Sequence, residues 1–94
     1  MHDGSVAAGD TWVRTHLAGY ATWARSHRSL LVVTWDEDDL SESNRIPTMI
    51  VGAGVRPHPV ARRLTLYSLL RLIEDRYRLP RLGAAARAAS IPLA

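Results

Sequence analysis

Leu30-Leu31-Val32-Val33-Thr34-Trp35-Asp36-Glu37-Asp38-Asp39 is the stretch on which the fold turns. Its first six residues form an unbroken run, rich in β-branched side chains. Such a run suits a strand covered on both faces, because a strand with one wet face would alternate apolar and polar residues. The run predicts a central strand over 30–35. It leads directly into four consecutive acids, and ligand sites in α/β sheets gather at the carboxyl ends of strands. A second apolar run, Ile46 to Val51, is closed by Gly52-Ala53-Gly54. The two are joined by about eleven residues without helical apolar spacing, whereas a parallel crossover needs a dozen or more and usually a helix. Antiparallel pairing of 30–35 with 47–51 is expected, within a sheet that is mixed as a whole.

Outward from the strands, residues 1–10 read as a loop, with Asp10 placed to cap a helix over 11–26 by accepting a backbone N–H bond. Val13, Leu17, Tyr20 and Ala24 recur at helical spacing, with Trp12, His16 and Trp23 beside them, so this face is expected to pack inward. Gly19 within it costs roughly 1 kcal/mol against alanine. Residues 52–63, with two prolines and Arg62-Arg63, read as a surface loop. Thr65 is then placed to cap a second helix over 65–77, whose inward stripe is Leu66, Leu69, Leu70, Ile73 and Tyr77. On its outer side Arg71 with Asp75, and Glu74 with Arg78, stand at ion-pair spacing. Pro80 ends it, and the alanine-rich tail reads as a short helix or a frayed end. Both helices are expected against the sheet. The fold class is α/β.

Composition narrows the function classes. A length of 94 residues corresponds to one small domain or part of one, and is short for a whole α/β enzyme. No apolar run is long enough to span a bilayer, and no start resembles a signal peptide. The net charge is +3, with twelve basic residues, every one of them arginine. Most are scattered rather than bunched with aromatics on one face, so nucleic acid is not an expected partner. The absence of cysteine excludes disulfides, thiolate metal sites and a cysteine nucleophile.

The candidate chemistry lies in the acids. Asp36 and Glu37 have the hard oxygen donors that divalent cations take, and such an ion polarises a phosphoryl oxygen. Neighbours on a regular strand point to opposite faces, so the two can share an ion only if pairing ends near Trp35. The other reading is a solvated acidic loop, and the pattern by itself favours that one. His2 and Asp3, in a glycine-flanked loop, suit ligands or an acid–base pair, yet polar residues at a chain start are more often exposed. His16, His27 and His58 read as structural or solvated, and Trp12, Trp23 and Trp35 as core. No serine elbow, P-loop or zinc spacing is present.

Taken in order, MHDGSVAAGDTW, WARSHRSLLVVTWDEDD, NRIPTMIVGAGVRPHP and LTLYSLLRLIEDRYRLPRLG resemble the last third of a phosphoesterase family. That family includes bacterial acid phosphatases, phosphatidylinositol phosphatases and phospholipases C. The resemblance implies a partial alkaline-phosphatase-like α/β/α sandwich with a mixed sheet, residues 1–94 being the carboxy-terminal part of the catalytic domain. It places Asp36 and Glu37 at a metal-binding acidic pair for a divalent ion, and His2 and Asp3, as catalytic residues, at the active-site edge. Gly9, Asp10 and Trp12 fit a structural GDxW pattern. Leu66 stands where relatives have an active-site histidine, and Arg78 where they have glycine. The family's glutamate–asparagine motif and its nucleophile belong to sequence ahead of these blocks. The missing amino-terminal part is therefore an expected partner, together with a phosphate-ester substrate. Intact relatives are usually secreted or periplasmic. From a different class, a small non-catalytic α/β interaction domain remains the alternative.

Overall fold

A computed structural model describes residues 3–94, which form α1 (Val6–Ser26), β1 (Leu30–Thr34), β2 (Thr48–Gly52), α2 (Leu66–Tyr77) and a 3-10 turn, Gly83–Arg87. This is an α/β chain. It divides into two compact units, residues 1–55 and 56–94, and each has its own logic.

In the first unit β1 and β2 pair antiparallel in the register Leu30↔Gly52, Val32↔Ile50 and Thr34↔Thr48, as the short polar connection requires. The sheet of the described residues has these two strands, so neither the mixed sheet nor a central place for β1 is seen. Every residue of β1 is only half-buried. At the far end the strands close tightly. A Cβ on Gly52 would lie 2.2 Å from the Ser29 carbonyl oxygen, so only glycine fits there without a shift of backbone.

Helix α1 packs on both strands, more extensively on β2. It starts five residues earlier than the expected Thr11. Ser5 is its N-cap, its hydroxyl accepting the Ala8 N–H at 3.0 Å, and Val6-Ala7-Ala8 carries the helix forward. Asp10 consequently lies within the helix, where its carboxylate pairs with Arg14 at 2.7 Å, one turn on. Val13 and Leu17 of the expected face are half-buried and Ala24 is buried, with Ala21 half-buried beside them, whereas Tyr20 of that stripe is 43% exposed. The tryptophans beside it are not core. Trp12 is 57% and Trp23 46% exposed, and each packs instead on a histidine four residues along, Trp12 edge-on to His16 and Trp23 stacked on His27.

The second unit is organised by polar groups. Thr65 caps α2, its N–H donating to Ser68 Oγ at 3.2 Å. The buried side chains of α2 are Ser68 and Glu74, whereas Leu66, Leu70, Ile73 and Tyr77 of the expected inward stripe are exposed. The cause is the path of the tail, which is tied to the other side of the helix. The Arg71 guanidinium donates to the Ala88 carbonyl. Glu74 Oε1 accepts the Leu82 N–H at 2.9 Å. Arg81 grips both oxygens of Asp75, its Nε donating to Oδ1 at 2.7 Å and its Nη2 to Oδ2 at 3.1 Å. The Arg71–Asp75 pair forms, at 3.6 Å, but Glu74 is turned inward rather than paired with Arg78. Arg78 itself adopts the left-handed conformation, with φ 56°. Its N–H bonds the Asp75 carbonyl and the Leu79 N–H bonds that of Glu74, which is the Schellman arrangement.

Candidate functional site

Strand pairing stops at Thr34, and the backbone bends through Asp36 and Glu37. Strand alternation therefore does not send the two side chains to opposite faces, which was the geometric condition for a shared ion. Both residues are exposed beyond the end of β1. The Glu37 N–H donates to Asp36 Oδ1 at 3.0 Å, so part of the Asp36 carboxylate is oriented by its neighbour's backbone.

The next two acids have a different task. Asp38 Oδ1 accepts the Leu40 N–H at 3.0 Å, and Oδ2 accepts those of Glu42 and Asn44 at 3.0 and 2.7 Å. Asn44 Oδ1 in turn accepts the Asp38 N–H at 3.3 Å. Asp39 Oδ1 takes the Ser41 N–H at 3.1 Å and its hydroxyl as well. These bonds hold the Asp38 carboxyl below its ordinary value, the Leu40 N–H foremost, and Asp39 likewise, the Ser41 hydroxyl foremost. Leu40, Ser43 and Asn44 all have positive φ, a backbone that asparagine adopts more readily than leucine. The acid run is thus divided. Asp38 and Asp39 fold the loop, while Asp36 and Glu37 are presented at its base.

Asp3 lies exposed in a bend ahead of Ser5. His2 lies outside the described residues. No group of three or more ligating side chains that could hold a metal ion occurs among the described residues. The loop-folding role of Asp38 was missed in the sequence. Its signal was there in Asp38, Ser41, Ser43 and Asn44, residue types that bond nearby backbone N–H groups two to six positions on.

The phosphoesterase family matches over residues 1–80. The chain belongs to the phosphoesterase family. A phosphatidylinositol-3-phosphatase of Mycobacterium tuberculosis is 50% identical to this phosphoesterase chain over 91 residues. That alignment takes in 97% of the chain but 30% of the mycobacterial protein, so the chain spans less than a third of that relative's length. No solved structure matches it. Among the described residues no helix is long and apolar enough to cross a membrane.

Proposed function

We propose that this chain forms the carboxy-terminal part of a metal-dependent phosphoesterase domain that hydrolyses phosphate esters. The observation that carries the reading is the acid pair on a bend just past β1, in a chain of this family. The parent domain would be an alkaline-phosphatase-like α/β/α sandwich, and residues 1–94 would contribute β1, β2 and the helices to it. The name of the mycobacterial relative points to an inositol phospholipid as the substrate class.

Asp36 and Glu37 would hold a divalent ion. The residues fit that task in part. Their donors are hard oxygens, exposed and adjacent, but two carboxylates leave most of the coordination shell of such an ion to be filled from elsewhere. When bound, the ion supplies polarisation of a phosphoryl oxygen and stabilisation of the charge that develops there. The work of this chain is to orient the pair. The Glu37 N–H fixes one oxygen of Asp36, and the Asp38 and Asp39 bonds hold the loop whose base carries both acids. No hydroxyl here carries a motif of an activated nucleophile, so the attacking group would come from outside residues 1–94. His2 and Asp3 would assist at the phosphate edge.

Manganese titration followed by NMR tests the ion-binding half of this reading without turnover. Selective broadening of the Asp36 and Glu37 resonances, lost in a double Asp36→Ala, Glu37→Ala variant, supports it. Broadening centred on Asp38 and Asp39 instead would show that the acids have been assigned the wrong way round.

A further inference from the structure

Charge is unevenly divided along the chain. Residues 56–94 hold eight arginines against two acids, whereas residues 1–55 hold four against seven. The two acids of the second unit are already engaged, Glu74 by the Leu82 N–H and Asp75 by Arg81. A unit with this balance favours an anionic ligand, and the place for one is where its cations meet a concave surface.

Such a surface lies between residues 58–62 and the tail at Pro92. It is an open cleft of about 300 Å³, lined by His58, Pro59, Val60, Ala61, Arg62 and Pro92. Its two sides are tied together. The Arg56 N–H donates to the Leu93 carbonyl at 2.8 Å, and the Arg62 guanidinium donates to the Ser90 carbonyl. The His58 ring is held as well, its Nδ1 donating to the Arg56 carbonyl at 2.7 Å. A carbonyl can only accept, so Nδ1 carries the proton of that bond and Nε2 is the ring's remaining polar atom. Arg62 uses one donor on Ser90 and keeps the others. Pro57 and Pro59 flank His58 and restrict the backbone that carries it. The lining is thus mostly apolar, with two polar groups oriented ahead of any ligand, which is the pattern of a small-molecule site.

We infer that this cleft binds a phosphate group, with Arg62 gripping its oxygens and His58 Nε2 bonding one of them. Guanidinium is the cation whose planar fork matches phosphate. Nε2 meets the ligand in either protonation state, accepting from a P–OH or donating as imidazolium to a P–O⁻. The apolar walls of Pro59, Val60 and Pro92 take the body that carries the phosphate. The cleft needs no divalent ion and draws nothing from Asp36 or Glu37. Two sources share this chemistry, free phosphate and the phosphorylated headgroup of an inositol phospholipid; the second rests on the reading of the chain as part of a phosphoesterase acting on such lipids.

The experiment is an NMR titration of the 94-residue chain, with divalent ions removed and pH and ionic strength held constant. The probes are inorganic phosphate and, separately, inositol 1,3-bisphosphate. Saturable shifts of the Arg62 Nε–H and the His58 ring protons are expected with phosphate. Tighter binding of the bisphosphate makes the headgroup the occupant, and equal or weaker binding makes it free phosphate. Arg62→Gln should weaken binding about tenfold, as the loss of a charge-assisted bond implies, and Arg62→Lys by less. His58→Gln should weaken it roughly threefold. Arg76→Gln removes the same charge from an exposed position on α2 and should leave binding nearly unchanged. The Leu82 amide, bonded to Glu74, reports whether each variant keeps its fold; where Arg62→Gln does not, Arg62→Lys and His58→Gln carry the comparison. The double Asp36→Ala, Glu37→Ala variant should bind phosphate as before, so the cleft stands if the ion-binding reading fails, and the reverse. No saturable shift at Arg62 and His58, shifts centred on another arginine, or equal losses in the Arg62 and Arg76 variants would overturn the inference.

Discussion

Single side chains decide more in this molecule than apolar periodicity suggests. Glu74 is 3% exposed; one of its oxygens takes the Leu82 N–H, and the other, Oε2, has no partner among the described residues. Removing the acceptor of a fully buried N–H costs about 1–3 kcal/mol, and the part-buried bond to the Leu82 N–H belongs at the low end of that range, about 1 kcal/mol. Glu74→Ala should therefore destabilise the chain by that amount in urea unfolding, and Glu74→Gln, which keeps an acceptor, by clearly less. Equal losses would show that the carboxyl matters for some reason other than the tail. Arg78 is the opposite case. It holds a left-handed conformation that costs a side chain roughly 1 kcal/mol and glycine nothing. Arg78→Gly should raise stability by about 0.5–1 kcal/mol, visible as a higher urea midpoint with unchanged slope. The sequence already marked Arg78 as standing where glycine is usual. It gave no sign that Glu74 would be buried, because an acid at ion-pair spacing reads as a solvated face until the path of the tail is known.

Among the elements, both strands, their antiparallel pairing and both helices were legible, because apolar runs, connection length and capping residues are local signals. Two things were not. The start of α1 was set too late because Asp10 and Ser5 are equally good caps on paper, and only the folded chain selects Ser5. The inward stripe of α2 was read from a hydrophobic face that stays exposed, since periodicity names the apolar face and not what covers it. The acid loop after β1 shows the same limit, four identical charges with two different tasks. It also makes a pH prediction. Asp38 and Asp39 are held below their ordinary values by loop N–H and hydroxyl donors. Their contribution to stability is therefore complete above the unfolded carboxyl value, about 4, and is lost as pH falls through their lower folded values. The Leu40, Glu42 and Asn44 amide resonances should hold steady from neutral pH down to about 4, and shift only below it. Midpoints at or above an ordinary aspartate's would contradict the loop assignment. Asp38→Ala should abolish the protection of these three amides at neutral pH.

For the molecule as a whole, the exposed acid pair, the two-stranded sheet and the exposed apolar face of α2 fit the proposed reading, in which the chain holds part of a site and part of a sheet. Phosphoryl transfer by the proposed route needs a nucleophile positioned in line with the leaving group as well as an ion that stabilises charge, and on that reading Asp36 and Glu37 would address only the second requirement. The family was readable from four blocks in order, whereas the roles of individual residues were not, because one acid run can serve a loop's backbone or a ligand and only the folded bonds tell which. The most direct measurement is the rate of p-nitrophenyl phosphate hydrolysis by the purified 94-residue chain alone, from acidic to alkaline pH, with magnesium, calcium, manganese or zinc. The account predicts no turnover above background, and no difference between the chain and its Asp36→Ala, Glu37→Ala variant. Turnover by the chain that disappears in that variant would place the nucleophile within these residues and contradict the account.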